Sequence, residues 1–362
     1  MRRFLRNLSA VWAALGIAAV AWLALELVLA AFGSEEGAPL VDVASTDALA
    51  DQAQAAALFE ELYSGRLQHR FEPFAHYRMR AYAGEHVNVD ADGWRATPTS
   101  PADGPTVWVL GGSTIWGMGA RDEGTIPSHL ARSLRGARVE NLGQIGYTST
   151  QELITLLVRL QAGERPDVVV FYDGVNDLLS LLKLGRAGLP LDVPRRNLEF
   201  NITRPDELPR LLRATLANLA RRSKVLGLVR GSGERQPARP IEDPERAAQD
   251  ALRAYLANVA AAQGVAERYG FEVIFFWQPT LFGKAKLSPS ESAALAEEAS
   301  FAPVYRAAQA QVATSTLVVD LSDVFGEDPA PTFFDFCHLS EAGNQRVAER
   351  IAQVVAPVLE GR

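Results

Sequence analysis

Apolar residues come in short runs that alternate with amphipathic stretches along most of this chain. The runs at 107–110, 168–172 and 272–277 are rich in Val, Phe and Trp. A run that is apolar at consecutive positions is typical of a strand buried on both faces, as in a parallel sheet. Shorter runs at 139–143 and 316–321 are predicted to be two further strands.

Helical periodicity of the apolar residues fills the intervals between these strands. Helices are predicted at 47–63 (capped by Thr46), 126–134, 150–162, 244–269, 290–312 and 340–359. Alternation of strand and helix at this spacing favours a doubly wound, flavodoxin-like α/β fold. The predicted architecture is a five-stranded parallel sheet between two helical layers.

The amino-terminal 32 residues have a different pattern. Residues 1–7 carry three arginines, and 8–32 are apolar at all but three positions, one of which is Glu26. As a helix, 8–32 would be about 37 Å long, which exceeds a hydrocarbon core of about 30 Å. The arginines predict a cytoplasmic tail at 1–7 and a single-pass transmembrane signal anchor at 8–32. The rest of the chain is then extracytoplasmic, in the periplasm or at the outer face of the inner membrane. A signal peptide cleaved near Gly33 is the alternative.

Residues 33–104 are predicted to form a tether, a helix and an extended aromatic segment. Residues 88–93 match only the first half of a calcium-binding loop, and Thr99 stands where such a loop requires Glu. A hairpin turn at Asp92–Gly93 is therefore predicted, and no metal is expected.

The α/β domain is predicted to extend over 105–362. It contains a helical insertion at about 178–243, longer than a strand-to-strand crossover needs. The insertion could be a lid, a partner surface or a decorated loop. The net charge of −7 and the absence of a basic stripe argue against a nucleic-acid partner. A single cysteine excludes an intrachain disulfide and a multi-cysteine metal site. No cofactor is expected, and the oligomeric state stays open.

Polar residues that could carry chemistry follow the predicted strands directly. Ser113 comes after the first run and two glycines, and Asn176 follows the run at 168–172. Ligands of open α/β sheets bind at the carboxyl ends of the strands, so both residues are predicted at the binding edge. Taken alone, Ser113 is better explained as the N-cap of a helix after a glycine-rich turn.

Asp335 and His338 lie just before the final predicted helix. A serine hydroxyl becomes nucleophilic when an imidazole takes its proton, and a carboxylate fixes the tautomer of that imidazole. The spacing allows Asp335 to reach Nδ1 of His338 while Nε2 faces Ser113. Alternatively, Asp335 is a helix cap and His338 a surface imidazole.

In combination and in this order, these residues resemble the SGNH hydrolases, also called GDSL-type esterases and lipases. The sequence blocks of that family correspond to 111–113, 141–146, 174–177 and 335–338. The resemblance covers about 105–359 apart from the insertion. Gly112 departs from the family pattern, in which Asp usually precedes the nucleophile.

The resemblance implies a serine esterase that hydrolyses acyl esters, most simply acetyl esters, through an acyl-enzyme. It implies Ser113 as nucleophile, His338 as base and Asp335 as its orienting acid. The oxyanion hole would comprise the N–H groups of Ser113 and Gly146 and the Asn176 side chain. Gly143 is also available, but Gly146 is preferred because the family's glycine leads into the next helix.

The implied substrate is an ester-bearing glycan, lipid or small molecule. The alternatives are an O-acyltransferase that acts on a surface glycan with the same triad, and a non-catalytic binding or scaffold module. An α/β-hydrolase elbow and a dinucleotide site are disfavoured because Gly-x-Ser-x-Gly and Gly-x-Gly-x-x-Gly are missing around Ser113. Cys337 is expected to point away from His338 and to pack in the core.

Overall fold

A five-stranded parallel sheet organises the chain in its computed structural model. The strands are β1 (His69–Glu72), β2 (His76–Met79), β3 (Tyr82–Ala83), β4 (Asn88–Val89), β5 (Thr106–Gly111), β6 (Arg138–Asn141), β7 (Val168–Asp173), β8 (Glu272–Trp277) and β9 (Val319–Asp320). The central sheet has the order β6-β5-β7-β8-β9 and is parallel throughout. This is the flavodoxin-like order, and it confirms the predicted sheet.

Helices cover both faces of this sheet. In chain order, the helices include α1 (Gln52–Tyr63), α2 (Ser113–Trp116), α3 (Ile126–Ser133), α4 (Ser149–Gln161), α5 (Val175–Leu184), α6 (Val193–Ile202), α7 (Pro244–Tyr269), α8 (Pro289–Glu297), α9 (Ala302–Val312) and α10 (Glu341–Glu360). Successive residues of β5 enter different cores. Trp108 and Leu110 pack with residues of α4, α5 and α7, whereas Val107 and Val109 pack with residues of α3 and α10.

The structure describes residues 12–14, 16–18, 20–26, 28, 46–49, 51–202, 209, 212–213, 215–216, 223, 225–226 and 241–361. Among these residues, no helix has both the length and the apolar character that crossing a bilayer requires. The predicted anchor at 8–32 and the insertion at 178–243 lie partly outside the described residues, as does most of the tether.

The chain divides into two compact units. One comprises 1–40 and 194–238, and the other comprises 41–193 and 239–362. In the first unit the described residues from 12 to 28 are helical. Glu26 there accepts hydrogen bonds from the Ser223 hydroxyl and, at 3.3 Å, from the Val225 backbone N–H. The second unit holds the sheet and the functional residues.

Two helix predictions were wrong in detail. Helix α1 begins at Gln52 rather than at 47, because Asp51 and not Thr46 caps it, accepting the Gln54 N–H at 3.0 Å. The stretch 290–312 is two helices, α8 and α9, instead of one. Pro303 lies in the first turn of α9, and a proline there has no N–H to continue the preceding helix.

The hairpin turn predicted at Asp92–Gly93 is present. The Gly93 N–H donates to the Asp90 carbonyl at 3.1 Å, and Gly93 has a φ of +91°. The Asp90 carboxylate accepts the Trp94 N–H at 2.9 Å, so it stabilises the turn.

Candidate active site

Ser113 lies at the carboxyl end of β5, where the strand order of the sheet reverses. All six residues of β5 are buried, and the chain leaves the strand through Gly111 and Gly112. Ser113 then opens the four-residue helix α2. Strand β7 pairs with β5 in the sheet, and the chain leaves β7 through Gly174 to reach Asn176 at the start of α5. This edge between the two strands is where flavodoxin-like sheets bind their ligands.

Ser113, His338 and Asp335 form one hydrogen-bonded chain. His338 Nε2 lies 2.7 Å from Ser113 Oγ, and His338 Nδ1 lies 2.6 Å from Asp335 Oδ2. The other oxygen, Asp335 Oδ1, accepts the backbone N–H groups of Cys337 and His338 at 2.8 and 2.7 Å. The structure therefore brings together the three side chains that the sequence nominated, although they come from positions 225 residues apart.

The turn between β9 and α10 keeps Asp335 ionised. Burial raises the pKa of this carboxyl, but the facing His338 imidazole and the two backbone N–H groups outweigh that effect and hold the pKa below its ordinary value. A carboxylate is the form that orients an imidazole and stabilises its protonated state.

The Phe334 ring packs against the His338 ring. The two rings are stacked, with centroids 5.6 Å apart and planes 9° from parallel. Phe59 of α1 packs edge-on against Phe334 at 5.4 Å. Helix α1, which precedes the α/β domain in sequence, thus supports the imidazole through an aromatic contact. The sequence offered no signal for this role of Phe334.

Asn176 lines the same cavity as Ser113 and His338. Its Nδ2 donates to the Tyr147 carbonyl at 2.8 Å. A Cβ added to Gly112 would lie only 2.3 Å from that same Nδ2. The absence of a side chain at 112 is therefore what allows Asn176 to take this position beside the serine.

Gly146 lies in the turn that precedes Tyr147. It has a φ of +77°, and a Cβ there would approach the Tyr77 hydroxyl to 2.9 Å, so glycine is required on two grounds. The competing glycine, Gly143, donates its N–H to Asn141 Oδ1 at 3.0 Å. That engagement supports Gly146 as the better candidate for an oxyanion donor.

A cavity of about 90 Å³ opens at this site. Its lining includes Gly112, Ser113, Asn176, His338 and Gln278. Gly146 is not part of the lining, although its neighbour Tyr147 contacts Asn176 through the carbonyl.

Cys337 does not point away from His338, contrary to expectation. Its Sγ lies 3.7 Å from His338 Nδ1 and is buried. Burial, reinforced by the negative charge of Asp335, raises the pKa of the thiol well above its ordinary value. Donor atoms of Cys337, His338 and Asp335 lie within 4.8 Å of one another, the one such grouping in the described part of the chain. A protonated thiol is a poor metal ligand, and Nδ1 is already bonded to Asp335.

Three buried carboxyl groups, those of Glu152, Asp173 and Asp177, lie close together next to Asn176. The sequence did not indicate this cluster. Asp177 accepts the Ser149 hydroxyl at 2.6 Å and so joins the start of α5 to the start of α4. Burial raises its pKa to about 6, and burial together with the neighbouring Asp173 raises the pKa of Glu152 well above its ordinary value. Glu152 occupies a buried position on α4, where a carboxylate is the exceptional residue.

Glu152→Gln is expected to stabilise the fold at alkaline pH. A carboxyl whose pKa is raised by folding holds its proton to a higher pH than the unfolded chain does, so stability falls as pH rises above the ordinary Glu value. Removing the charge should add about 1–3 kcal/mol to the free energy of unfolding at pH 8. Denaturant unfolding at pH 5 and pH 8 measures the change, which should shrink at pH 5. The exposed Glu267→Gln is the control, and an equal gain there at both pH values would contradict the prediction.

Comparison with known proteins gives a family match and several structural likenesses. Residues 109–280 match the GDSL-like Lipase/Acylhydrolase family. This stretch contains Ser113, Gly146 and Asn176 and ends before Asp335 and His338. A comparison with curated proteins gave no match.

Three solved structures illustrate the structural likeness. A carbohydrate acetylesterase family member from Sinorhizobium meliloti is 19% identical, covering 71% of this chain and 99% of its own, with a TM-score of 0.33. A second carbohydrate acetylesterase from Sinorhizobium meliloti is 14% identical, with 70% and 99% covered and a TM-score of 0.37. An acetylxylan esterase from Geobacillus stearothermophilus is 16% identical, with 69% and 94% covered and a TM-score of 0.34. TM-scores this low carry no information about substrate.

Proposed function

We propose that this serine ester hydrolase, whose residues 109–280 match the GDSL-like lipase/acylhydrolase family, cleaves short acyl esters, acetyl esters first. The proposed catalytic residues are Ser113, His338 and Asp335. The observation that carries the proposal is the continuous hydrogen-bonded chain from Ser113 Oγ to Asp335. An intact relay of this kind also argues against a non-catalytic scaffold.

The proposed reaction has two halves. Ser113 Oγ attacks the ester carbonyl while His338 Nε2 takes its proton, and the same proton then passes to the departing alcohol, leaving an acyl-enzyme. A water then attacks the acyl carbonyl and gives a proton to His338. His338 passes that proton to Ser113 Oγ as the acyl–oxygen bond breaks, which releases the acid and restores the free serine. Asp335 stays ionised throughout and stabilises the imidazolium in both halves.

Amide donors are proposed to hold the negative charge that forms on the carbonyl oxygen. They are the backbone N–H groups of Ser113 and Gly146 and the side chain of Asn176. The Asn176 amide is the best supported of the three, because it lines the same cavity as Ser113 and is held by the Tyr147 carbonyl. Donors fixed in this way need no reorganisation when the charge develops.

The size of the cavity favours a short acyl group. A cavity of about 90 Å³ is well below the roughly 300–1,000 Å³ of sites that hold drug-sized ligands, so it suits an acetyl group better than a long chain. The lining combines the apolar Phe336, Leu179 and Val175 with the polar Gln278, as small-ligand sites commonly do.

Covalent labelling combined with an acyl-chain series tests the proposal. A fluorophosphonate should modify Ser113 stoichiometrically, as located by peptide mass spectrometry. 4-Nitrophenyl acetate should be hydrolysed about tenfold or more faster, in kcat/KM, than the octanoate. Labelling at another residue would overturn the assignment of the nucleophile, and a preference for octanoate would overturn the assignment of the acyl group.

The proposal includes an extracytoplasmic location, with 8–32 as the anchor. It rests on the apolar character of that stretch and the arginines within 1–7. The intact mass of the exported protein is the check, since loss of about the first 33 residues would contradict anchoring.

A further inference from the structure

A second imidazole–carboxylate pair lies outside the relay. His76 Nδ1 is 3.0 Å from Asp192 Oδ1, and the two side chains keep 30% and 18% of their surface exposed. His76 opens β2, whereas Asp192 lies in the segment between α5 and α6. Because Nδ1 is engaged by the carboxylate, Nε2 is the ring nitrogen available to meet a ligand.

Both members of this pair are next in sequence to a residue that approaches Gly146. The Tyr77 hydroxyl donates to the Ile145 carbonyl at 2.8 Å. A Cβ on Gly146 would meet the Tyr77 hydroxyl at 2.9 Å and Leu191 Cδ1 at 3.9 Å. His76 and Asp192 therefore flank the loop that carries the candidate oxyanion glycine.

The hairpin of β1 and β2 is fixed to that loop by side-chain hydrogen bonds. Gln144 Oε1 accepts the Met79 N–H at 2.9 Å, and Gln151 Nε2 donates to the Ala75 carbonyl at 2.8 Å. The Tyr147 hydroxyl donates to the Tyr77 carbonyl. All three donors or acceptors come from the stretch around Gly146, so the position of the hairpin relative to the loop is set by several independent bonds.

These contacts hold the hairpin tip in an unusual conformation. Phe74 and His76 have φ values of +67° and +75°, a region that residues other than glycine seldom occupy. Strain of this kind is commonly retained where it serves a site. In this conformation His76 lies beside Asp192, and Phe74 at the tip is 77% exposed.

We propose that His76, oriented by Asp192, and the face of Phe74 bind the sugar half of an O-acetylated glycan. This inference rests on the proposed function, in which Ser113 receives the acetyl group. A sugar ring presents hydroxyl groups at its edge and C–H bonds on its face. An imidazole can donate to or accept from a hydroxyl, and an exposed aromatic ring packs against the C–H face. A fatty alcohol carries no hydroxyl group beyond its ester oxygen, so it would offer the imidazole no group to bond.

Kinetics on two acetyl esters with different alcohol halves test this role. The substrates are 4-nitrophenyl acetate and a mono-O-acetylated methyl glucoside. His76→Asn is the variant, because Asn tolerates the left-handed backbone at this position. Its KM for the acetylated sugar should rise about tenfold, with kcat within about twofold, while kcat/KM for the aryl acetate stays within about twofold. Asp192→Asn should also raise the KM for the acetylated sugar. Phe74→Ala, combined with His76→Asn, should raise that KM further.

The controls separate this inference from the proposed function. His86→Asn is the control, because the bond that His86 makes to Glu61 comes from its backbone N–H. This variant should leave KM and kcat unchanged for both esters. Equal losses on both esters in His76→Asn would show a structural role and overturn the inference, as would unchanged KM for the sugar. Failure of the proposed function has a different signature, namely aryl acetate turnover that survives removal of Ser113.

Discussion

Ester turnover is expected to fall by about 10⁶-fold when Ser113 is replaced by alanine. The hydroxyl is the one group at the site positioned to form the acyl-enzyme, since its Oγ lies 2.7 Å from His338 Nε2. Water attack on a bound ester, aided by the oxyanion donors alone, leaves a residual rate of about 10³–10⁴ over the uncatalysed reaction. The loss should appear in kcat, measured with 4-nitrophenyl acetate, with KM little changed.

The fold should survive this substitution. The backbone bonds that close α2, from Gly117 and Met118 N–H to the Ser113 carbonyl, do not involve the side chain. The melting temperature should therefore stay within a few degrees of the parent protein. His338→Gln should be nearly as inactive, and the double variant should be no worse than Ser113→Ala, because the two side chains act as a unit. Ser133→Ala, on a surface of α3, is the matched control and should be fully active.

Turnover within tenfold of the parent in Ser113→Ala would contradict the assignment. The nearest remaining nucleophile is Cys337, whose Sγ lies 3.7 Å from His338 Nδ1. In that event Cys337→Ser should abolish the remaining activity. With Ser113 as nucleophile, Cys337→Ser leaves the rate within about tenfold, because the thiol touches Nδ1 rather than the nitrogen that serves the nucleophile.

The sheet and the relay were predictable because their signals are local. A strand buried on both faces is apolar along most of its length, as β5 is at 107–110 and β7 at 168–172. Once these strands are parallel neighbours, their carboxyl ends lie at one edge, which brings Ser113 and Asn176 together. The spacing of Asp335 and His338 within one turn fixes the remaining pair without reference to distant contacts.

The features that escaped prediction depend on contacts between distant segments. Helix α1 begins at Gln52 because Asp51 caps it, while Thr46 offered an equally good cap in the sequence. Nothing near Phe334 indicates that its ring stacks on His338, since α1 sets that position through Phe59. Glu152 resembles a polar residue on an amphipathic helix, and only the packed structure shows that its carboxyl is buried beside Asp173.

Gly112→Ala is expected to lower kcat by about 10²–10³ while the protein stays folded. The new methyl group would lie 2.3 Å from Asn176 Nδ2, so one of the two must move. The Asn176 amide is the end of a side chain and can rotate, which spares the backbone and the stability of the fold. Rotation breaks its 2.8 Å bond to the Tyr147 carbonyl and takes the donor away from the cavity. Gly112→Asp, which introduces the residue usual in the family, should be at least as damaging here.

A double-mutant cycle shows whether the methyl group acts through Asn176. Asn176→Ala alone removes the donor and should cost a similar factor in kcat. Gly112→Ala combined with Asn176→Ala should then be no slower than Asn176→Ala, because the clash and the donor disappear together. Gly264→Ala, on α7 with open space around its Cβ position, should leave activity unchanged and raise stability by about 1 kcal/mol. Fully multiplicative losses in the double variant would mean that Gly112 acts independently of Asn176, and the oxyanion role of that amide would then lose its structural basis.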